Sequence, residues 1–300
     1  MAVTPVGSYR PTSNQERDPT MSPTHPTSDD TPDTRPDDTA PATRDAPPIR
    51  LRHIGFADPL RWLLRGLHDY LAHPAISLFY GVCFMAMGWT LMKVYENAPA
   101  YTMALSAGFL LMGPFFCMGL YQMSMRLERG LVPDFGDSLT AWDTRTGQMA
   151  IFGFVLLVLE MLWGRATMVI FAVSFDGMPD LKGSLLALLD PENLGFIVTY
   201  LGVSTLFGGL IFSISVVSIP MMLDRQVDAI TAGLTSLRLV LNQPVVMVWW
   251  AVLIAVLMVL AMLPWFLGLL FIGPVVGHAS WHAYRATVID EGSDEADTSA

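Results

Sequence analysis

Long apolar runs, interrupted by proline and by short charged stretches, set the strongest limit on what this chain can fold into. Residues 74–95 hold a single charge, Lys93, and as a helix they reach across the roughly 30 Å hydrocarbon core of a bilayer. Five further runs follow, at 101–125, about 148–175, 194–223, 245–263 and 265–284. Lipid offers a backbone no hydrogen-bond partners, so segments of this kind must satisfy themselves as helices. The expected fold is all-α: a polytopic membrane helical bundle of six transmembrane helices in three helix pairs, with three short interfacial helices. The third run is long for one crossing, which implies a strong tilt or an end outside the hydrocarbon.

Composition agrees. A hydrophobic content of 52%, a mean hydropathy of +0.45 and only 15% charged residues exceed what a soluble core of this length requires. The net charge of −10 sits largely at the two ends, because residues 1–49 contribute −4 and residues 290–300 contribute −5. The middle is left near neutral, with no basic surface for nucleic acid. Residues 1–49 contain ten prolines, eight carboxylates and four arginines, and read as a disordered Pro/Asp-rich cytoplasmic tail without the features of a cleaved signal. Residues 50–289 form the membrane domain, and 290–300 an acidic disordered tail. Cys83 and Cys117 lie inside apolar runs without a partner at ligand spacing, which fits small buried apolar residues.

Three stretches between the runs have surface-helix spacing. Leu60, Leu63, Leu64, Leu67 and Leu71 recur every three or four residues, with Arg61, Arg65, His68 and Asp69 between them, and His73-Pro74 ends the pattern. Phe135, Leu139 and Trp142 suggest a second such helix. Val227, Ile230, Leu234, Leu237 and Leu241 form the third, with Asp228, Ser236 and Arg238 on other faces, ended by Asn242-Gln243-Pro244. Arg61, Arg65, Arg126, Arg129 and Arg238 are thereby presented to anionic lipid or to a protein partner. With a cytoplasmic amino terminus, 14 of the 17 Lys and Arg residues fall on that side. The positive-inside rule then puts both termini in the cytoplasm of a bacterial inner membrane.

The order of surface helix, span, outer loop and second span recurs three times, with helix-kinking prolines at Pro114, Pro220 and Pro274. Such repeats occur in transporters with discontinuous helices. Kinks serving packing alone are the plainer account, and Gly273, Gly277, Ala279 and Ala283 suit it as small residues spaced four apart.

Two groups carry possible chemistry. Glu160 lies near the middle of the third run, where a carboxylate must be protonated, paired or watered. Arg165 is five positions on, about 140° around the helix, so the two do not share a face. A polar path through Glu160 and the hydroxyls of the fourth run is one reading; a bundle-interior hydrogen-bonding Glu160 with an outward-snorkelling Arg165 is the other. His278 and His282 are four apart, the spacing that metal or haem ligation uses, and His68 and His73 lie at the same membrane boundary. The alternative is interfacial hydrogen bonding among His278, Trp281, His282 and Tyr284. Met85, Met87, Met123 and Met125 read as packing. No phosphate loop, nucleophile elbow or zinc-protease motif is present, so no catalytic residue is assigned and no cofactor is expected from the residues themselves.

The segments Ile214-Ser-Val-Val-Ser-Ile-Pro-Met-Met-Leu-Asp-Arg225, Thr235-Ser236 with Asn242-Gln-Pro244, and Gly277-His-Ala-Ser-Trp-His-Ala-Tyr-Arg285 resemble a bacterial family of predicted inner-membrane proteins whose domain has no established function. Phe79-Tyr-Gly81 and Ala104-Leu-Ser-Ala-Gly-Phe-Leu-Leu-Met-Gly-Pro114 fit it as well. The resemblance covers about residues 50–289, and Gln243 departs from it by inserting one residue before Pro244. Some members of that family carry a label linking them to cytochrome c oxidase, so the resemblance implies haem or copper and a respiratory complex as partner. A haem-copper core needs several histidines within its spans, whereas only His278 and His282 approach one here. The expectation is therefore a noncatalytic accessory or assembly factor whose partners are the bilayer and another membrane protein. A small transporter or channel using Glu160 is the first alternative, and a metal- or haem-binding component the second.

Overall fold

A computed structural model describes residues 49–98, 101–141, 143, 146–174, 193–225 and 227–290. The expected tails, Trp142 and the acidic segment 176–192 lie outside the described residues, apart from positions 49 and 290. The elements run β1 (Ile49–Leu51), α1 (Asp58–Ala72), α2 (Pro74–Asn97), α3 (Thr102–Glu128), α4 (Phe135–Leu139), α5 (Thr146–Ser174), α6 (Leu194–Ser215), α7 (Ser218–Asp224), α8 (Ala229–Asn242), α9 (Pro244–Met262), α10 (Leu269–Thr287) and β2 (Val288–Asp290).

Among the described residues, five stretches are long and apolar enough to cross a membrane: α2, α3, α5, the α6–α7 stretch Leu194–Asp224, and α9. The expected interfacial helices α1 and α8 lead into the apolar helices that follow them in the same way. His73 and Gln243 take nearly the same backbone angles, φ/ψ −138°/71° and −134°/57°, and each is followed by a proline at the first helical position, where a missing N–H costs nothing. The expected second interfacial helix is the five-residue α4, started by Asp134, whose side chain accepts from the Asp137 amide.

Two of the expected runs end differently. The fourth breaks at Val216 and Val217, four residues before Pro220, and resumes as α7. Pro220 has no N–H to offer the Val216 carbonyl. Pro114 and Pro274, by contrast, lie inside the continuous helices α3 and α10. The last run does not begin its helix at Trp265. Residues 263–268 form a turn in which Trp265 (φ 49°) and Phe266 (φ 65°) occupy the left-handed region, costly for bulky side chains. That turn is clamped from α2, where Trp89 Nε1 donates to the Trp265 carbonyl at 2.7 Å and the Phe266 ring lies against Gly88.

α10 is the hub. It packs against α1, α2, α3 and α9, and Gly273, Gly277 and Ala279 along it each serve a different neighbour. A Cβ on Gly66 of α1 would lie 2.5 Å from the Val275 carbonyl oxygen and 2.7 Å from the Ala279 nitrogen, so only glycine lets α1 sit this close. Gly81 of α2 meets the Leu270 carbonyl in the same manner, while Gly273 faces the Phe84 ring and Gly277 faces Leu120. Trp62 of α1 and Trp250 of α9, both fully buried, meet edge-on with ring centroids 5.5 Å apart.

The two flanks of the domain are tied together. β1 and β2 pair antiparallel, Ile49 opposite Asp290 and Leu51 opposite Val288, and the Arg52 amide adds a bond to the Thr287 carbonyl at 2.9 Å. Gln243, the residue that departs from the resembled pattern, holds this clasp: its Oε1 accepts from the Ile54 amide and its Nε2 donates to the Arg52 carbonyl, both at 2.7 Å.

Candidate functional site

The first polar centre is where α1, α2, α3 and α10 meet. His278 is fully buried rather than at a wet rim. Its Nδ1 lies 2.8 Å from Ser124 Oγ, and its Nε2 lies 3.1 Å from Ser77 Oγ. Ser124 spends its one hydroxyl proton on Asp69 Oδ2, at 2.7 Å. It must therefore accept from His278, which assigns the proton to Nδ1 and leaves Nε2 to accept from Ser77. His282 reaches the same Asp69 oxygen through Nε2 at 2.8 Å. The two histidines thus converge on one carboxylate by separate routes, and both ring nitrogens of His278 are already engaged. Burial works against the charge on Asp69, but the hydrogen bonds from His282 and Ser124, with the nearby His278 imidazole, outweigh it and hold the carboxyl below the usual range. His68 stands at the edge, its Nδ1 3.8 Å from Asp69 Oδ1. His73 contributes a backbone carbonyl 3.4 Å from Ser77 Oγ.

A second cluster continues along the end of α10 and joins the two most distinctive sequence runs. Tyr284 donates to Asp224 Oδ2 at 2.8 Å and accepts from Arg225 Nε at 2.7 Å. Arg225 also caps the Val288 carbonyl at 3.0 Å. Arg129 pairs with Asp224 at 3.0 Å, Arg285 pairs with Glu128 at 3.0 Å, and Trp281 Nε1 donates to Glu128 at 3.0 Å. The ends of α3, α7 and α10 are stapled by these charges.

Between α1 and the ends of α3 and α10 lies a cavity of about 560 Å³. Asp69 and His282 line it, together with Arg52, Arg61, Arg65 and Arg285. Of the basic residues expected to face lipid or a partner, Arg61 pairs with Asp58 at 3.0 Å, Arg126 with Asp137, and Arg129 with Asp224. Arg65 and Arg238 are exposed and make no hydrogen bond or ion pair among the described residues.

Glu160 belongs to a separate place. It is buried on α5, and its Oε2 has no hydrogen-bond partner among the described residues. Thr167, seven positions on and so on the same face, is buried with an unpartnered hydroxyl as well. Arg165 is exposed. The neighbouring helix α6 offers little to a polar path. Thr199, Ser213 and Ser215 bond carbonyls one turn back in their own helix at 2.8, 2.6 and 2.6 Å. Ser204 accepts from Trp163 Nε1 at 3.2 Å.

Sequence reasoning placed His278 and His282 together but missed what they meet. Asp69 was legible in one respect: it is nine residues from Leu60, about 180° around α1 from the leucine stripe, hence on the face that docks. Ser77 and Ser124 are isolated serines inside apolar runs, with no local pattern to mark them.

The fold, with its apolar helices exposed along their flanks, defines a polytopic integral membrane protein. Residues 102–224, from α3 through α7, match a family described as "Predicted integral membrane protein (DUF2189)", to which the chain is similar over that stretch. The match takes in 104–114 and nearly all of 214–225, and it ends before the 277–285 run. No curated protein and no solved structure matches the chain.

Proposed function

We propose that this is a noncatalytic accessory or assembly component of the bacterial inner membrane, with six passes, cytoplasmic flanks, and α1 and α8 resting on the cytoplasmic leaflet. The observation that carries the reading is a pair of stripes. Leu60, Leu64, Leu67 and Leu71 on α1 are exposed, as are Ile230, Leu234 and Leu241 on α8. Both helices nevertheless dock firmly by their other faces, through Trp62, Gly66, Asp69 and Tyr70 on α1 and through Ala232, Thr235, Ser236 and Leu239 on α8. An apolar stripe beside Arg61, Arg65 and Arg238 is what a helix at the headgroup boundary needs. The β1–β2 pairing, which joins the two ends of the described domain, supports an even number of crossings, with α10 read as the sixth beside the five longer apolar stretches. The distribution of Lys and Arg supports a cytoplasmic reading of that side.

Spin labels at Leu64→Cys and Ile230→Cys in nanodiscs test the placement. Labels that collide with oxygen and are shielded from an aqueous nickel reagent support it; labels open to the nickel reagent reject it. Co-purification from native membrane identifies the protein partner, and a respiratory complex is the one the resemblance favours.

A transporter or channel is the second reading, favoured by the unpartnered Glu160 carboxyl. Proteoliposome flux that falls with Glu160→Gln supports it, and wild-type vesicles no leakier than empty ones reject it. Haem or copper at His278 and His282 rests on their four-residue spacing and on the resemblance, and is tested by the absorption spectrum and metal content of the purified protein.

A further inference from the structure

We propose that the cavity between α1 and the ends of α3 and α10 binds a phosphate-bearing anion, the headgroup of an acidic phospholipid. The proposal rests on the leaflet placement of α1 only for the choice of lipid as the source of the phosphate. The donor balance carries it. Three carboxylates line the cavity, and all three are turned to protein donors: Asp58 takes the Gly55 amide at 2.7 Å and Arg61 at 3.0 Å, Glu128 takes Arg285 and Trp281, and Asp69 takes His282 and Ser124. The cations are not used up in return. Arg61 spends one terminal nitrogen on Asp58, Arg285 keeps one terminal nitrogen uncommitted, and Arg65 makes no bond among the described residues. A phosphate dianion is the ligand that such a lining suits, because Arg65 has its parallel N–H donors free for two oxygens and Arg61 and Arg285 each add remaining N–H donors from the same cavity wall.

The size and surroundings agree. A volume of about 560 Å³ falls in the range of small-molecule sites. Its floor is built, with Trp62 and Asp69 buried. Its mouth is wet, since the Arg61 and His68 side chains are mostly exposed. The leucine stripe of α1 lies on the adjoining face, and an acyl chain beside it would bring a headgroup to Arg65.

The test is a titration of the purified full-length protein in neutral detergent with three probes: dihexanoyl phosphatidic acid, inorganic phosphate and dihexanoyl phosphatidylcholine. Saturable binding of phosphatidic acid, weakened about tenfold by Arg65→Gln and unchanged by Arg238→Gln on α8, is the expected result. Inorganic phosphate binding as tightly, with the same dependence on Arg65, upholds the anion site and overturns its assignment to lipid. Equal binding of phosphatidylcholine, equal losses from Arg65→Gln and Arg238→Gln, or no binding of either anion overturns the site. The spin labels at positions 64 and 230 report leaflet contact whether or not an anion binds, so the two proposals fail separately.

Discussion

α10 and the α5–α6 pair are helices of the same domain built on opposite terms. α10 buries His278, Trp281, Tyr284 and Thr287 along with four small residues, whereas α6 buries no residue at all. The glycines differ in the same sense. Gly66 and Gly81 sit where a Cβ would strike another helix's backbone, while Gly202, Gly208 and Gly209 on α6 face open space. A helix surrounded by α1, α2, α3 and α9 is shielded from lipid and can hold hydrogen-bonded polar side chains. A helix that lipid touches on most sides has to be apolar around its circumference. Among the described helices, an apolar circumference therefore marks the periphery, while the hydrogen-bonded polar side chains gather around α10.

The contrast breaks most sharply at the two buried carboxylates. Asp69→Ala strands His282 and Ser124 and is expected to cost about 3 kcal/mol or more. Glu160→Gln removes no hydrogen bond of the orphaned Oε2 and is expected to stay within about 0.5 kcal/mol of wild type. Thermal unfolding in detergent reads both, and equal losses would erase the distinction. Glycine substitution comes next. Gly81→Ala forces α2 off the Leu270 carbonyl and is expected to cost about 1–3 kcal/mol, against no loss of stability for Gly208→Ala in the same assay.

Acid sharpens the comparison further. A carboxyl held below its ordinary value in the fold adds stability above the unfolded pKa of about 3.9, and that stability is lost as pH falls through the lower folded value. Below about pH 4, hydrogen exchange is expected to rise in α1 and the end of α10 before it rises in α5 and α6. The smallest effect is local. Asp228 caps α8 by accepting from the Ile230 and Thr231 amides at 3.1 and 3.0 Å, so Asp228→Ala is expected to cost about 1 kcal/mol, seen as faster exchange in the first turn of α8.

The periphery was the legible part of the sequence. Runs of apolar residues report contact with lipid directly, and α2, α3, α5 and α9 fall close to where the runs predict them. The start of α10 was not legible, because Trp265 and Phe266 read as apolar helix formers and only the Trp89 clamp reveals that they turn. The break before Pro220 was legible as a kink-forming proline, but not its difference from Pro114 and Pro274, which lie inside continuous helices. The polar centre was half legible. His278 and His282 stood out as a pair, but Asp69, Ser77 and Ser124 come from three other helices. Their meeting depends on the close approach that Gly66 and Gly81 permit.

The pairing of β1 with β2 has a consequence for biosynthesis. The strand at 288–290 leaves the ribosome after every described helix has been made, so β1 lacks its partner strand and α1 lacks its main partner helix while the spans that follow them are inserted. Throughout that interval the clasp stays open, and it can close only when α10 arrives with the partner strand attached.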